Sequence, residues 1–317
     1  MAIQVREIGS FHIGGEQVTL SGLPRRNLVL TQGMPAREYS GDGDFESGQM
    51  YAQYVRLQAP RGKYPLLMWH GGGMTGATWE TKPDGAPGWQ SWFLNAGHDV
   101  FVSDAVERGR SGWSRFPEVY PGEPHFRSKR ESWGLFRFGP PGSYETRTGH
   151  PDGLFPLEHF NQFAKQVVPR WACNDDLTQT AYDGYVRKVG PCVVMTHSQS
   201  GQFGFAAARH APDLVRAVVT VEPSGAPDPA TVDVAAVRSV PHLAVLGDHI
   251  DSMWQEIITK LRHYFDAIRA AGGVADIIDL PAMGMRGNSH FPMMDRNSDQ
   301  VATLVQEWMQ RQGLMRE

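Results

Sequence analysis

Cysteine is scarce: only Cys173 and Cys192 occur in 317 residues. That excludes a disulfide framework, and neither has the spacing of a metal or redox motif. Cys192 opens an apolar run and reads as a small buried hydrophobe. No apolar stretch reaches the roughly 18 residues of a transmembrane helix, so no membrane span is expected. The formal charge of −4 leaves no basic footprint for nucleic acid. The segment Met1-Ala2-Ile3-Gln4-Val5-Arg6-Glu7 lacks the basic and apolar regions of a secretory signal. A cytoplasmic location is therefore the expectation. Glycine-rich dinucleotide and P-loop patterns are missing, so no cofactor is expected. Asp248-His249 with Asp251, unaccompanied by His-x-His or His-Glu-x-x-His, does not amount to a metal site.

What is present is alternation. From Tyr64 onward, short apolar runs alternate with helical stretches, the pattern of a mostly parallel sheet covered on both faces. The expected strands are Leu66–Trp69, Val100–Ser103, Cys192–Thr196, Ala217–Val221, His242–Leu246 and Ala275–Leu280. Helices are expected over Trp89–Ala96, Gly201–His210, Met253–Ala271 and Asp299–Gln312. Before Tyr64, Met50–Leu57 alternates like a strand, while Ser10–Ile13 and Gln17–Leu20 flank Gly14-Gly15-Glu16 and suggest a hairpin. The fold class is α/β, with antiparallel strands at the N-terminus. Between about Gly112 and Gly190 the alternation stops in a segment rich in Pro, Gly, Arg and aromatics, too long for an ordinary loop. Its later part, Leu157–Trp171, has helical apolar spacing. The division expected is a core of residues 1–112 and 190–317, with a cap inserted at 113–189.

Chemistry concentrates in three places. Cys192-Val193-Val194-Met195-Thr196-His197-Ser198-Gln199-Ser200-Gly201 is a strand, a serine among small residues, then an Ala/Gly-rich helix. That is a degenerate nucleophile elbow, with Thr196 and Ser200 at the usual glycine positions. Upstream, Leu66–Trp69 runs into His70-Gly71-Gly72-Gly73, where backbone N–H groups can approach a substrate oxygen with no Cβ in the way. Downstream lies Asn288-Ser289-His290. The order nucleophile, acid, histidine is that of α/β hydrolases.

Ser198 is the candidate nucleophile; a serine hydroxyl needs a neighbouring base. Ser200 at the apex would put bulky Gln202 in a close-approach position. His290 is the candidate base, favoured over His249 by order and location. The acid is Glu222 or Asp248, each following a probable strand, with Asp251 a further possibility; on the residues alone the first two balance. The oxyanion donors expected are the backbone N–H groups of Gly72 and Gln199. A catalytically silent scaffold that binds a partner, or a cofactor-free lyase using the same Ser/His pair, fits the same residues.

With these motifs assembled, the chain resembles the α/β-hydrolase superfamily. Within it, the chain is similar to a small bacterial serine esterase family with a His-Ser-Gln-Ser-Gly elbow. Thr78-Trp79-Glu80-Thr81, Arg108-Gly109-Arg110-Ser111, Phe136-Arg137-Phe138-Gly139-Pro140, Val221-Glu222-Pro223 and Gly247-Asp248-His249-Ile250 carry the likeness. The resemblance implies an acid after strand six, which selects Glu222. It also implies hydrolysis of a small or medium, partly apolar ester through an acyl-enzyme, and, with the extra N-terminal strands, a homodimer. The family carries cysteines after its His-Gly, where this chain has Gly72-Gly73. Trp133, Phe138, Met293 and Met294 are expected either to shape the substrate pocket or to pack in the core.

Overall fold

In the computed structural model, which describes residues 3–316, the strands are β1 (Val5–Leu20), β2 (Arg26–Leu28), β3 (Arg37–Tyr39), β4 (Gly43–Leu57), β5 (Leu66–Trp69), β6 (Val100–Asp104), β7 (Cys192–His197), β8 (Val215–Val221), β9 (His242–Leu246) and β10 (Ala275–Asp279). The helices are α1 (Ala77–Glu80), α2 (Trp89–Asn95), α3 (Lys129–Leu135), α4 (Phe160–Ala164), α5 (Asp175–Val189), α6 (Ser200–His210), α7 (Ser252–Ala270) and α8 (Ser298–Arg311). One eight-stranded sheet has the order β1-β4-β6-β5-β7-β8-β9-β10. Neighbours from β6 to β10 pair in parallel, while β4 runs antiparallel to both β6 and β1.

The parallel strands β5 to β9 are short, apolar and buried almost throughout, because helices cover both faces, while β10 at the sheet edge is partly exposed and carries Asp276 and Asp279. Side chains alternate across the sheet. Leu66 and Met68 join α2 and α8 in one core, and Leu67 and Trp69 join α5, α6 and α7 in the other. The carboxyl ends of β5, β7, β8 and β9 therefore open on one edge, where loops carry Gly71, Ser198, Glu222 and Asp248.

Two expectations need correction. The hairpin at Gly14-Gly15 does not form: β1 continues through both glycines and pairs along its length with β4. Both glycines have positive φ (72° and 83°), and so does Gly48 (82°) on the facing strand. The ribbon takes up this left-handed backbone without reversing or shifting register there. Leu157–Trp171 is helical only from a single 3₁₀ turn through Ala164. Pro169 ends the possibility of continuation, and Val168 N–H donates to Gly73 O (2.8 Å) instead.

Within 113–189, α5 packs on β1, β4 and α6, contributing Ala181, Tyr182, Tyr185 and Val186 to the core on that face. Both cysteines are free, Cys192 buried and Cys173 exposed.

Candidate active site

Ser198 stands in the tight turn between β7 and α6 with φ of 54°, a left-handed conformation uncommon for a non-glycine residue. Strain of this kind persists only where the surroundings fix it. Here Ser198 N–H donates to Val221 O (3.0 Å), and Gly201 and Ser224 N–H groups donate to Ser198 O. Ser200 is buried beneath the turn: its Oγ accepts from His197 N–H (3.0 Å) and lies 2.8 Å from Trp69 O. Ser200 is committed to holding the turn.

The departures from the glycine pattern have a local explanation. Thr196 is fully buried and hydrogen-bonds Thr220 Oγ1 at 3.0 Å. A Cβ on Gly204 of α6 would meet Thr196 Cγ2 at 2.7 Å, and one on Gly201 would meet Pro223 Cβ at 2.9 Å. The helix supplies the room that the strand residue takes. Gly204→Ala should therefore destabilise by about 1–2 kcal/mol through overpacking. In a Thr196→Ser background, which lacks Cγ2, the same change should stabilise by up to about 1 kcal/mol, the helix preference for Ala over Gly. Denaturant midpoints of the four proteins check this; the same sign in both backgrounds would refute it.

His290 lies in the loop after β10, fully buried, with Nε2 2.9 Å from Ser198 Oγ and Nδ1 2.9 Å from Glu222 Oε2. Its ring stacks parallel to Phe136 (5.5 Å) and lies 4.4 Å from Trp254. The loop is pinned by His290 N–H to Phe136 O (3.1 Å), and by His197 Nε2–H to His290 O (2.8 Å). Asp295 accepts from Ser289 N–H, Ser289 Oγ–H and Asn288 Nδ2–H.

Glu222 follows β8, also with positive φ (51°), and is 2% exposed. Oε1 accepts Gly247 N–H; Oε2 accepts both His290 Nδ1–H and Arg137 Nη2–H, the latter at 2.6 Å. Burial pushes this carboxyl up, but the Arg137 charge, the His290 hydrogen bond and charge, and Gly247 N–H together outweigh it and hold it at about 2. For His290 burial dominates: against the hydrogen bond and charge of Glu222, it lowers the imidazole from 6.5 to about 4, aided by Arg137 and Arg127. At neutral pH the carboxylate is ionised and the imidazole neutral. Nδ1 then carries the proton toward Glu222, and the Nε2 lone pair faces the Ser198 hydroxyl. A hydroxyl, imidazole and carboxylate joined in this order can carry a proton from oxygen to nitrogen.

Asp248 is not part of that line. Its carboxylate accepts His249 N–H (2.8 Å) and Gly287 N–H (3.0 Å), so it ties the β9 loop to the histidine loop. Asp251 caps α7 by accepting Trp254 N–H (2.9 Å).

On the β5 side, His70 Nε2 accepts Ala105 N–H (2.9 Å), which leaves Nδ1–H to donate to Gly71 O (2.9 Å). Burial holds this imidazole down at about 4, hence neutral. Gly71 packs so closely on the elbow that a Cβ there would meet Ser198 Cβ at 2.9 Å. Gly72 and Gln199 flank Ser198 in a cleft of about 200 Å³, whose other walls include Leu135, Phe136, Met253, Trp254 and Ile257.

A solved bacterial esterase superposes on this chain with a TM-score of 0.85, at 33% identity over 98% of each chain. The chain belongs to that esterase's family, within the α/β-hydrolase superfamily. It is a carboxylic ester hydrolase. A probable secreted lipase, phiG, of Fungal sp. (strain ATCC 74256) is 26% identical over 85% of this chain and 88% of its own length. No family model matches. Among the described residues no helix is long and apolar enough to cross a membrane. The relative named as secreted lends no support to the cytoplasmic expectation.

In this hydrolase Trp133, Phe138, Met293 and Met294 are not cleft-lining. All four are at most 2% exposed and sit in the core on the α2/α8 face. Trp133 and Phe138 pack with Phe160 and Phe163, so the aromatic-rich segment folds chiefly on itself. Sequence reasoning also passed over Arg137 and His197. The available signal for Arg137 was a charge inside the aromatic run Phe136-Arg137-Phe138.

Proposed function

We propose that this esterase acts through an acyl-enzyme on Ser198, with His290 as base and Glu222 as the acid that orients it. The observation carrying the reading is the unbroken line Ser198 Oγ, His290 Nε2, His290 Nδ1, Glu222 Oε2, with 2.9 Å at each hydrogen bond. Ser198 Oγ attacks the ester carbonyl carbon as His290 Nε2 takes its proton. The C–O bond to the alcohol then breaks, and the alcohol leaves with that proton. Water, deprotonated by the same nitrogen, cleaves the acyl-enzyme and frees the acid. The N–H groups of Gly72 and Gln199 receive the negative oxygen; losing one such donor typically costs about 2.7–4 kcal/mol of transition-state stabilisation.

The small cleft with its Leu135, Phe136, Met253, Trp254 and Ile257 wall supports a small or medium ester with an apolar portion. Residues 113–174 form the cap in this reading. The boundary moves back from 189 because α5 packs against the sheet. A homodimer, through the outer strand β1 at the sheet edge, belongs to the same reading, and sedimentation velocity tests it.

The mechanism is tested with aryl esters and a fluorophosphonate. A burst of phenol matching enzyme concentration when deacylation limits, with label recovered on the peptide holding Ser198, is the expected result. Turnover without any label at Ser198 would end the acyl-enzyme reading.

A further inference from the structure

One wall of the cleft is cationic. Arg127 and Arg170 both line it together with Gly72, Ser198 and Gln199, and so do the apolar Met253, Trp254 and Ile257. The two arginines differ in how they are satisfied. Arg127 is engaged: Nε donates to Glu131 Oε1 (3.0 Å), Nη1 donates to Gly72 O (3.2 Å), and the guanidinium lies over the Phe136 ring. Arg170 is not. Among the described residues its guanidinium makes no hydrogen bond, and Asp175 Oδ1 stands off at 4.0 Å. Asp175 itself is occupied by the side-chain amides of Gln199 (2.9 Å) and Gln202 (3.0 Å).

Arg170 is also placed with care. The Cα face of Gly72 leaves it room, since a Cβ there would meet Nη1 at 2.8 Å. Its backbone is fixed by reciprocal bonds with His125, N–H to O at 2.8 and 3.0 Å. The Arg170 side chain is only 21% exposed. The charge of buried Arg108 also acts on it; Arg108 is bonded to Glu107 at 2.7 Å but has Nη1 unpartnered. A partly buried guanidinium with free donors lacks what a guanidinium binds best, a planar anion that accepts two parallel N–H bonds.

We propose that Arg170, with Arg127 beside it, is a carboxylate-binding subsite, and that the preferred substrates are esters that also bear a free carboxylate, such as hemiesters of short dicarboxylic acids. This rests on the acyl-enzyme reading for the position of the ester carbonyl at Ser198. The apolar wall then takes the alcohol or the chain between the two groups, and Arg170 fixes the far end.

The test pairs monoethyl glutarate with ethyl 5-oxohexanoate, a neutral ester of similar shape, by pH-stat. Arg170→Gln should lower the ratio of kcat/KM for the acidic over the neutral ester roughly 10- to 100-fold, the usual worth of a charged hydrogen bond. The loss should appear mainly in KM, and Arg170→Lys should restore part of it. Independently of turnover, calorimetry should show glutarate binding to Ser198→Ala and not to Ser198→Ala/Arg170→Gln. An unchanged ratio would overturn the subsite, as would equal losses for both esters, which would mean that Arg170 acts on the fold or on the reacting carbonyl. Failure of glutarate to bind Ser198→Ala would also overturn it. If glutarate binds through Arg170 while Ser198 never labels, the subsite stands and the acyl-enzyme reading alone falls.

Discussion

Glu222→Gln is expected to leave the protein folded and to lower kcat by about 10⁴-fold, the scale of a triad aspartate-to-asparagine change. The hydrogen-bond map gives the reason. An ionised Glu222 offers Oε2 only as an acceptor, so His290 must place its proton on Nδ1 and its lone pair on Nε2 toward Ser198. A glutamine amide can present N–H in that place and favour the opposite tautomer. In the proposed mechanism it also removes the counter-charge for the imidazolium formed as Ser198 attacks. The deficit should persist at all pH values above 6.5, because removing Glu222 takes away influences that raise the His290 pKa. Asp248→Asn, by contrast, should cost no more than about tenfold, since it weakens one loop hydrogen bond, to His249 or Gly287 N–H, worth roughly 1 kcal/mol. Both variants are compared on one activated ester, with circular dichroism to establish folding. A folded, inactive Asp248→Asn beside a nearly full-rate Glu222→Gln would reverse the assignment.

The contrast between these two acids also marks where sequence is legible. Strands β5 to β9 could be read because strands buried on both faces must be apolar over a short length, and α7 and α8 because their apolar residues recur at helical spacing. The serine, the histidine and the glycine loop could be located because each sits at a strand end in a fixed order. Glu222 and Asp248 share that attribute, so the residues alone leave them balanced; the family resemblance favours Glu222, and geometry gives the physical difference. Glu222 turns inward to His290, while Asp248 is consumed by two backbone N–H groups. Gly14-Gly15 looked like a reversal because glycines with positive φ can sit within a continuous ribbon as well as in a hairpin turn. Trp133 and Phe138 looked like pocket walls because composition reports aromatic content, not direction. Arg137 stood out only as a charge in an aromatic run, and Arg170 not at all, for a related reason. A charge becomes functional through what it lacks or neutralises in space, and its chain neighbours do not encode that.

Arg137→Met should cost about 3–5 kcal/mol of stability, the penalty for leaving one member of a buried ion pair behind. Arg137 is 4% exposed; Nη2 bonds Glu222 Oε2, Nε bonds Asp248 O at 2.7 Å, and the guanidinium lies 4.9 Å from the Trp254 ring centre. Without it, the Glu222 carboxylate keeps only Gly247 N–H and His290 as donors. The pH dependence follows by sign. The folded Glu222 pKa lies below its ordinary 4.5, so its contribution is present above 4.5 and is lost as pH falls toward about 2. Removing Arg137 raises that folded value, so the loss of stability should be largest near neutrality and shrink in acid. As the proposed base, His290 must be neutral, so its lowered pKa should keep the acid limb of kcat/KM below 6.5, toward about 4. Arg137 is one of the charges that depress it, so Arg137→Met should move that limb to higher pH, which a purely structural role would not do. Adding Glu222→Gln removes the stranded charge and should recover part of the lost stability while leaving the enzyme inactive. Denaturant melts of the four proteins from pH 4 to 8, with pH–rate profiles for those that turn over, check both halves. Strictly additive stabilities, or an acid limb that does not move, would show that Arg137 packs beside the acid without tuning it.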